Sequence, residues 1–280
     1  MRSINESVII DAVRDMCVFT AYNLPKDVGD ALRAAAEKEE SPLGREVLER
    51  IIENSEIAAK EGKPICQDTG LAVFFVEYGA DICIEHGSLT DAINEGVRRG
   101  YRDGYLRKSV VKSPLDRVNT GDNTPAIIHI EETPGDKLVI NMMAKGGGCE
   151  NMSRHAMLWP GDGEEGIKHF VVDSVEKAGA NPCPPIIVGV GIGGDFEISA
   201  MLSKKALLRK LGSENPDPAL AGMEKEILLR INQLGIGPQG FGGTTTALGV
   251  HIISHPCHIA SLPVAVNIEC HAHRHAKVIL

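Results

Sequence analysis

The sequence predicts an α/β (α+β) chain. A helical N-terminal part spans about residues 1–62. A mixed α/β part spans about 63–280, and the whole is read as one domain over 1–280. Three observations carry this prediction. The first sixty residues place apolar side chains at helical spacing. After residue 63, short apolar runs such as LAVFFVEYG, IIVGVGIGG and LPVAVNIEC alternate with helical segments. Thirty glycines and fifteen prolines in 280 residues then mark tight loops at the ends of those runs.

Residues 6–21 and 26–39 read as two amphipathic helices, with Pro25 suited to the start of the second. A third helix runs from Pro42 to Lys60, because Leu43, Val47, Leu48, Ile51 and Ile52 form one apolar stripe after the Ser41–Pro42 cap pair. KPICQDTG interrupts, and LAVFFVEYG follows as a strand. A helix starting at Ser88 covers SLTDAINEGVRRGYRDGYLRKS. AIIHIEE and KLVINMMA read as two strands, and the PGD between them predicts a β-hairpin. EGIKHFVVDSVEKAGA is helical, IIVGVGIGG is a buried strand, and two more helices cover about 196–211 and 217–234. GIGPQGFGGTTT is a glycine loop that leads into a strand, and LPVAVNIEC is the last strand.

Composition narrows the function. Hydrophobic residues at 43% and charged residues at 24% match an ordered globular chain. A net charge of −9 argues against a nucleic-acid surface, which needs a basic face. It leaves room for an anionic small substrate, because local Lys and Arg can dominate a pocket. No apolar run reaches transmembrane length and no signal-peptide core opens the chain, so the expectation is no membrane association and a cytoplasmic location.

Seven cysteines in such a chain read as thiols or metal ligands before disulfides. No pair has CxxC spacing, which excludes a zinc ribbon, a thioredoxin motif and a clustered ferredoxin run. Cys17, in a helical stretch, and Cys83, in DICIE, read as ordinary buried thiols. Cys66 in KPICQDTG, Cys183 in NPCPP and Cys270 in NIECHAHRH sit in loops or at element ends. Two readings stay open for these three: a shared metal-binding centre, or loop thiols with no common purpose. Gly189, Gly191 and Gly194 spell GxGxxG, which suggests either a dinucleotide loop or tight packing turns.

Six segments, KPICQDTG, YLRKSVV, KGGGCEN, NPCPP, GIGPQGFGGTTT and SHPCHIASLPVAVNIECHAHR, occur in that order. Together they closely resemble the α subunit of two-subunit, class I (iron–sulfur) fumarate hydratases. The L(+)-tartrate dehydratase α subunit is the near sibling, and the resemblance covers about residues 5 to 275. It implies a hydro-lyase built around a [4Fe–4S] cluster, with Cys66, Cys183 and Cys270 as the three ligands. Three thiolates for four irons leave one iron open to the substrate, as a Lewis acid. Cys149, where many fumarases have Ser, and Cys257 are read as non-ligands, Cys149 lying close to the site.

By the same resemblance, Arg107 binds a substrate carboxylate with its planar fork. Gln67 and Asp68 contact substrate, and Asp68 is the candidate to exchange a proton with the leaving hydroxyl. Gly147 lets the backbone approach substrate, and His258 hydrogen-bonds a carboxylate or cluster-bound oxygen. His255, His271, His273 and His275 crowd the same tail and read as a solvated or interface face.

The resemblance places the carbon-directed base on a second region. The expectation is therefore a β subunit that completes the site, in an α dimer or an α2β2 assembly, acting on fumarate and malate. Tartrate is the alternative substrate. An Fe–S scaffold or redox sensor without catalysis is the rival of another class, and a nucleotide-dependent oxidoreductase using the GxGxxG is the weakest.

Overall fold

The computed structural model describes residues 1–280. In chain order the elements begin with β1 (Arg2–Asn5), α1 (Glu6–Tyr22), α2 (Lys26–Lys38), α3 (Pro42–Glu61), β2 (Leu71–Gly79), β3 (Ile82–Glu85) and α4 (Leu89–Asp103). They continue with β4 (Ile127–Thr133), β5 (Leu138–Lys145), α5 (Gly147–Glu150), β6 (Arg154–Leu158), α6 (Gly163–Ala178) and β7 (Ile186–Gly193). Last come α7 (Phe196–Ala206), α8 (Pro218–Asn232), β8 (Ala247–His255), β9 (Leu262–Glu269) and β10 (His275–Ile279). The fold is α/β, as the alternation of runs predicts. The chain divides into two compact units: Met1–Pro25 with Ser55–Gly147 and Arg274–Leu280, and Lys26–Asn54 with Gly148–His273. The helical stretch 1–62 is thus shared between the units rather than standing alone.

In the first unit, α1 and α4 pack closely because glycines face the partner helix. A Cβ on Gly96 would lie 2.6 Å from that of Val13, and one on Gly100 would lie 2.6 Å from that of Cys17. Ser88 caps α4, its side chain accepting from Asp91 N–H at 3.1 Å. The four-stranded sheet has the order β10-β5-β2-β4. β2 pairs parallel with β4 and antiparallel with β5. The expected hairpin is therefore corrected: β4 and β5 flank β2 instead of pairing with each other. The turn between them wraps the end of β2, where Lys137 accepts from Gly79 N–H at 3.1 Å and Gly135 accepts from Asp81 N–H at 2.9 Å. Burial explains the order, since Ala72 to Val76 are all buried and only a central strand covers both faces.

In the second unit the sheet order is β6-β9-β7-β8, with β7 parallel to β8 and antiparallel to β9. β7 shows why its sequence alternates. Val188, Val190 and Ile192 belong to the core with Ile167, Val171 and Ile227 of α6 and α8. The intervening glycines face α7. A Cβ on Gly189 would lie 2.0 Å from the carbonyl of Ser203, and one on Gly191 would lie 2.0 Å from that of Ser199. The GxGxxG is thus a packing device, which removes the dinucleotide reading of these glycines.

Other differences are local. β1, β6 and β10 were not anticipated. β10 pairs with β5, so the histidine-rich tail is partly sheet, and His273 and Arg274 are buried. Cys17 is buried, and burial pushes its thiol pKa up, as expected of a core thiol. Cys83 is exposed rather than buried, because β3 lies in a two-stranded sheet that covers only one of its faces.

Candidate functional site

In the first unit the site begins with the loop between α3 and β2. Cys66 is half-buried, and its Sγ accepts from Asp68 N–H at 3.4 Å. Gln67 is exposed. Asp68 turns its carboxylate back onto backbone donors: Oδ1 accepts from Gly70 N–H at 3.0 Å and Oδ2 from Gly147 N–H at 2.8 Å. Gly147 therefore gives its N–H to Asp68, and what it presents outward is the absence of a side chain.

Buried side chains hold this loop from behind. Arg274, 1% exposed, donates to the Asp68 carbonyl at 2.9 Å. The Tyr101 hydroxyl lies 2.9 Å from the Thr69 carbonyl and 3.0 Å from that of Gly70. Burial pushes this phenol above its ordinary pKa, so it stays a neutral donor. Thr69 Oγ1 donates to the Arg107 carbonyl at 2.8 Å, which sets the backbone of Arg107 beside the loop while the residue is exposed. The structure thus brings Cys66, Gln67, Asp68, Arg107 and Gly147 into one neighbourhood. Arg274 and Tyr101, which hold the loop backbone, were not singled out in the sequence. A buried arginine after a histidine-rich run gives no periodic signal.

In the second unit, Cys183 is exposed and has a left-handed backbone, φ 55. A non-glycine residue held there carries strain, which clusters at functional loops. Its carbonyl accepts from His271 Nδ1 at 2.9 Å. A carbonyl only accepts, so Nδ1 carries the proton. Gln239 Nε2, 3.1 Å from the same nitrogen, donates to the Pro184 carbonyl at 2.8 Å instead. His271 follows Cys270, so this one side chain ties the two cysteine loops together. β-Sheet register agrees, since Ile187 near the start of β7 pairs with Glu269 at the end of β9.

Cys149 is buried and lies beside them. Its Sγ is 3.6 Å from the Pro182 carbonyl. The Sγ atoms of Cys149 and Cys270 and a carboxylate oxygen of Glu269 all lie within 4.8 Å of one another. Cys149 thus lies beside Cys270. Glu269 was not anticipated, because a glutamate at a strand end reads as solvated, yet it is 1% exposed. Cys257 is exposed in the β8–β9 loop, where its thiol faces the Ser261 carbonyl at 3.4 Å.

His258 is exposed in the same β8–β9 loop, its Nδ1 accepting from Ala260 N–H at 3.1 Å. Cys270 follows the other end of β9, whose eight residues span on the order of 20 Å. His258 therefore lies beyond one end of β9 and Cys270 beyond the other.

Seven cysteines are available as thiol donors, none of them assigned to a disulfide. Thiolates are soft donors that suit iron–sulfur clusters. Cys66 and Cys270 are half-buried and Cys183 is exposed. Asp68 N–H already donates to Cys66 Sγ, the kind of hydrogen bond that tunes cluster sulfurs. Each of these thiols is by its chemistry a suitable ligand for such a cluster.

Comparison with known proteins places the chain in a family. The family described as Fumarate hydratase (Fumerase) matches residues 10–279. The putative L(+)-tartrate dehydratase subunit alpha of Methanocaldococcus jannaschii is 44% identical over 275 residues, covering 96% of this chain and 95% of that protein. The L(+)-tartrate dehydratase subunit alpha of Escherichia coli O157:H7 is 34% identical over 276 residues, covering 97% of this chain and 90% of that protein. With nearly its whole length matched, the chain belongs to the fumarate hydratase family.

Proposed function

We propose that the chain is the α subunit of an iron–sulfur hydro-lyase that interconverts fumarate and (S)-malate with a separate β subunit. In this reading Cys66, Cys183 and Cys270 hold a [4Fe–4S] cluster. Family membership supports the reaction class. The observation that carries the site is the single side chain of His271, which ties the Cys183 and Cys270 loops through a 2.9 Å bond. When bound, the cluster supplies Lewis-acid activation of the hydroxyl that leaves malate.

The remaining work falls to the chain's own residues. Arg107, exposed beside the loop, offers its planar fork to a substrate carboxylate. Asp68 is held at fixed orientation by Gly70 and Gly147; in dehydration its protonated carboxyl gives the hydroxyl the proton with which it leaves as water, and in hydration the carboxylate takes that proton from water. Gln67 adds a neutral donor and acceptor next to it. Gly147, without a side chain, leaves room for substrate over Asp68. The carbon-directed base is assigned to the β subunit, in an α dimer or an α2β2 assembly. A cytoplasmic setting keeps the thiols reduced.

The names of the relatives favour a second substrate, L-tartrate, which differs from malate by one hydroxyl. Comparing kcat/KM for malate and L-tartrate on the chain reconstituted with its β subunit tests the proposal. Malate is expected to be preferred, with no turnover by the α chain alone. A tartrate preference above tenfold, about 1.4 kcal/mol, reverses the substrate. Robust malate turnover by the α chain alone overturns the two-subunit reading.

A further inference from the structure

We propose that Cys149, Glu269 and Cys270 form a site for one soft divalent cation of the zinc class, occupied when Cys270 carries no cluster. The site rests on its own geometry. Only its competition with the cluster rests on the function proposed above.

Two sulfurs and a carboxylate oxygen lie within 4.8 Å of one another. Tetrahedral bonds of ~2.3 Å to sulfur and ~2.0 Å to oxygen put such ligands about 3.5–3.8 Å apart. Closure of about an ångström, within reach of small side-chain rotations, completes the set. Adjacent strand residues normally point to opposite faces. Glu269 and Cys270 share a centre because the chain leaves β9 between them, and Glu269 Oε1 accepts from Cys270 N–H at 3.3 Å.

The third ligand is anchored separately. Glu150, next to Cys149, bonds Lys204 Nζ at 2.5 Å and Asn267 Nδ2 at 3.1 Å. Asn267 lies on β9 two residues before Glu269, so the segment carrying Cys149 is pinned to the strand that ends in the other two ligands. Such supporting bonds are what metal ligands need.

The donor set selects the cation. Two thiolates and one carboxylate favour zinc-like ions over calcium or magnesium, which take oxygen. Binding releases one proton from each thiol and leaves a net charge of minus one on the three ligands and the cation. Cys149 and Glu269 are buried while Cys270 is half-open, which suits three protein ligands and one exchangeable position.

Cobalt(II) titration of the full-length, cluster-free chain under anaerobic conditions tests this. One equivalent is expected to give thiolate-to-cobalt charge-transfer absorption that zinc removes. Cys149→Ser and Glu269→Gln are each expected to weaken binding at least about tenfold. Cys66→Ser and Cys183→Ser are expected to titrate like the parent. No charge-transfer signal, parent-like binding in Cys149→Ser or Glu269→Gln, or loss of binding in Cys66→Ser or Cys183→Ser overturns the site. Circular dichroism shows whether each variant is folded, and if Cys149→Ser is not, Glu269→Gln decides. Iron content measured on the parent chain before cluster removal keeps the two readings apart: a parent that assembles no cluster refutes the proposed function and leaves the cobalt result to stand by itself.

Discussion

His271 Nδ1 donates to the carbonyl of Cys183 at 2.9 Å, so the residue after one proposed cluster ligand fixes the backbone of another. Cys183 has φ 55, a conformation that needs support from outside its own loop. His271→Ala removes that support. The rate of iron loss to a chelator is expected to rise about 10–100-fold, the usual range for outer contacts of metal ligands. His271→Asn, whose side-chain N–H can reach the same carbonyl, is expected to restore part of the retention.

Asp68→Asn separates proton exchange from loop structure. One amide oxygen can still accept from Gly70 or Gly147, but the carboxylate's basicity is gone. Loss of kcat by about 100-fold or more is expected, with iron content unchanged. Turnover within a few-fold of the parent removes the proton-transfer role from Asp68.

His251 gives the second unit a pH-dependent stability. Burial lowers its pKa from 6.5 to about 4, and the charge of Arg209 adds to that effect while Glu224 and a backbone bond to Ala206 oppose it. Between those values the unfolded chain binds a proton that the folded chain refuses. Stability is therefore full above pH 6.5 and falls as the pH drops toward 4, by roughly 3 kcal/mol from this group. Denaturant midpoints at pH 7 and pH 4.5 check this. His251→Gln is expected to show the smaller drop, and an equal drop in both proteins refutes it.

The packing of α7 on β7 makes Gly191 intolerant of any side chain. Gly191→Ala would put a Cβ 2.0 Å from the Ser199 carbonyl, a backbone atom that cannot rotate away. A loss of about 3 kcal/mol is expected by chemical denaturation. Gly222→Ala, in the interior of α8 with open space around it, is the contrast. It is expected to gain about 0.5–1 kcal/mol.

Which parts of this structure were legible follows from the range of each signal. The helices were readable because apolar spacing and caps such as Ser88 are local. The strand partners were not: PGD predicts a hairpin from a few residues, whereas β2 takes the place between β4 and β5 through burial that only the assembled sheet defines. β10 hid in a polar tail because its pairing with β5 spans more than a hundred residues. At the site, Cys66, Asp68 and Arg107 were readable as motif positions. Glu269 and Cys149 were not paired in sequence, since 120 residues separate them and only the fold brings them within 4.8 Å. His258 shows how sequence distance and spatial distance differ. Twelve positions from Cys270 look near, but eight of the intervening residues form an extended strand.

The central claim is that three thiols, and no others, retain the cluster. The direct measurement is an anaerobic count of iron and sulfide per chain, made on protein co-expressed with its β subunit. About four of each are predicted for the parent and for Cys83→Ser and Cys257→Ser, with loss in Cys66→Ser, Cys183→Ser and Cys270→Ser. Parent-like iron in any of those last three variants, or none in the parent, would contradict it.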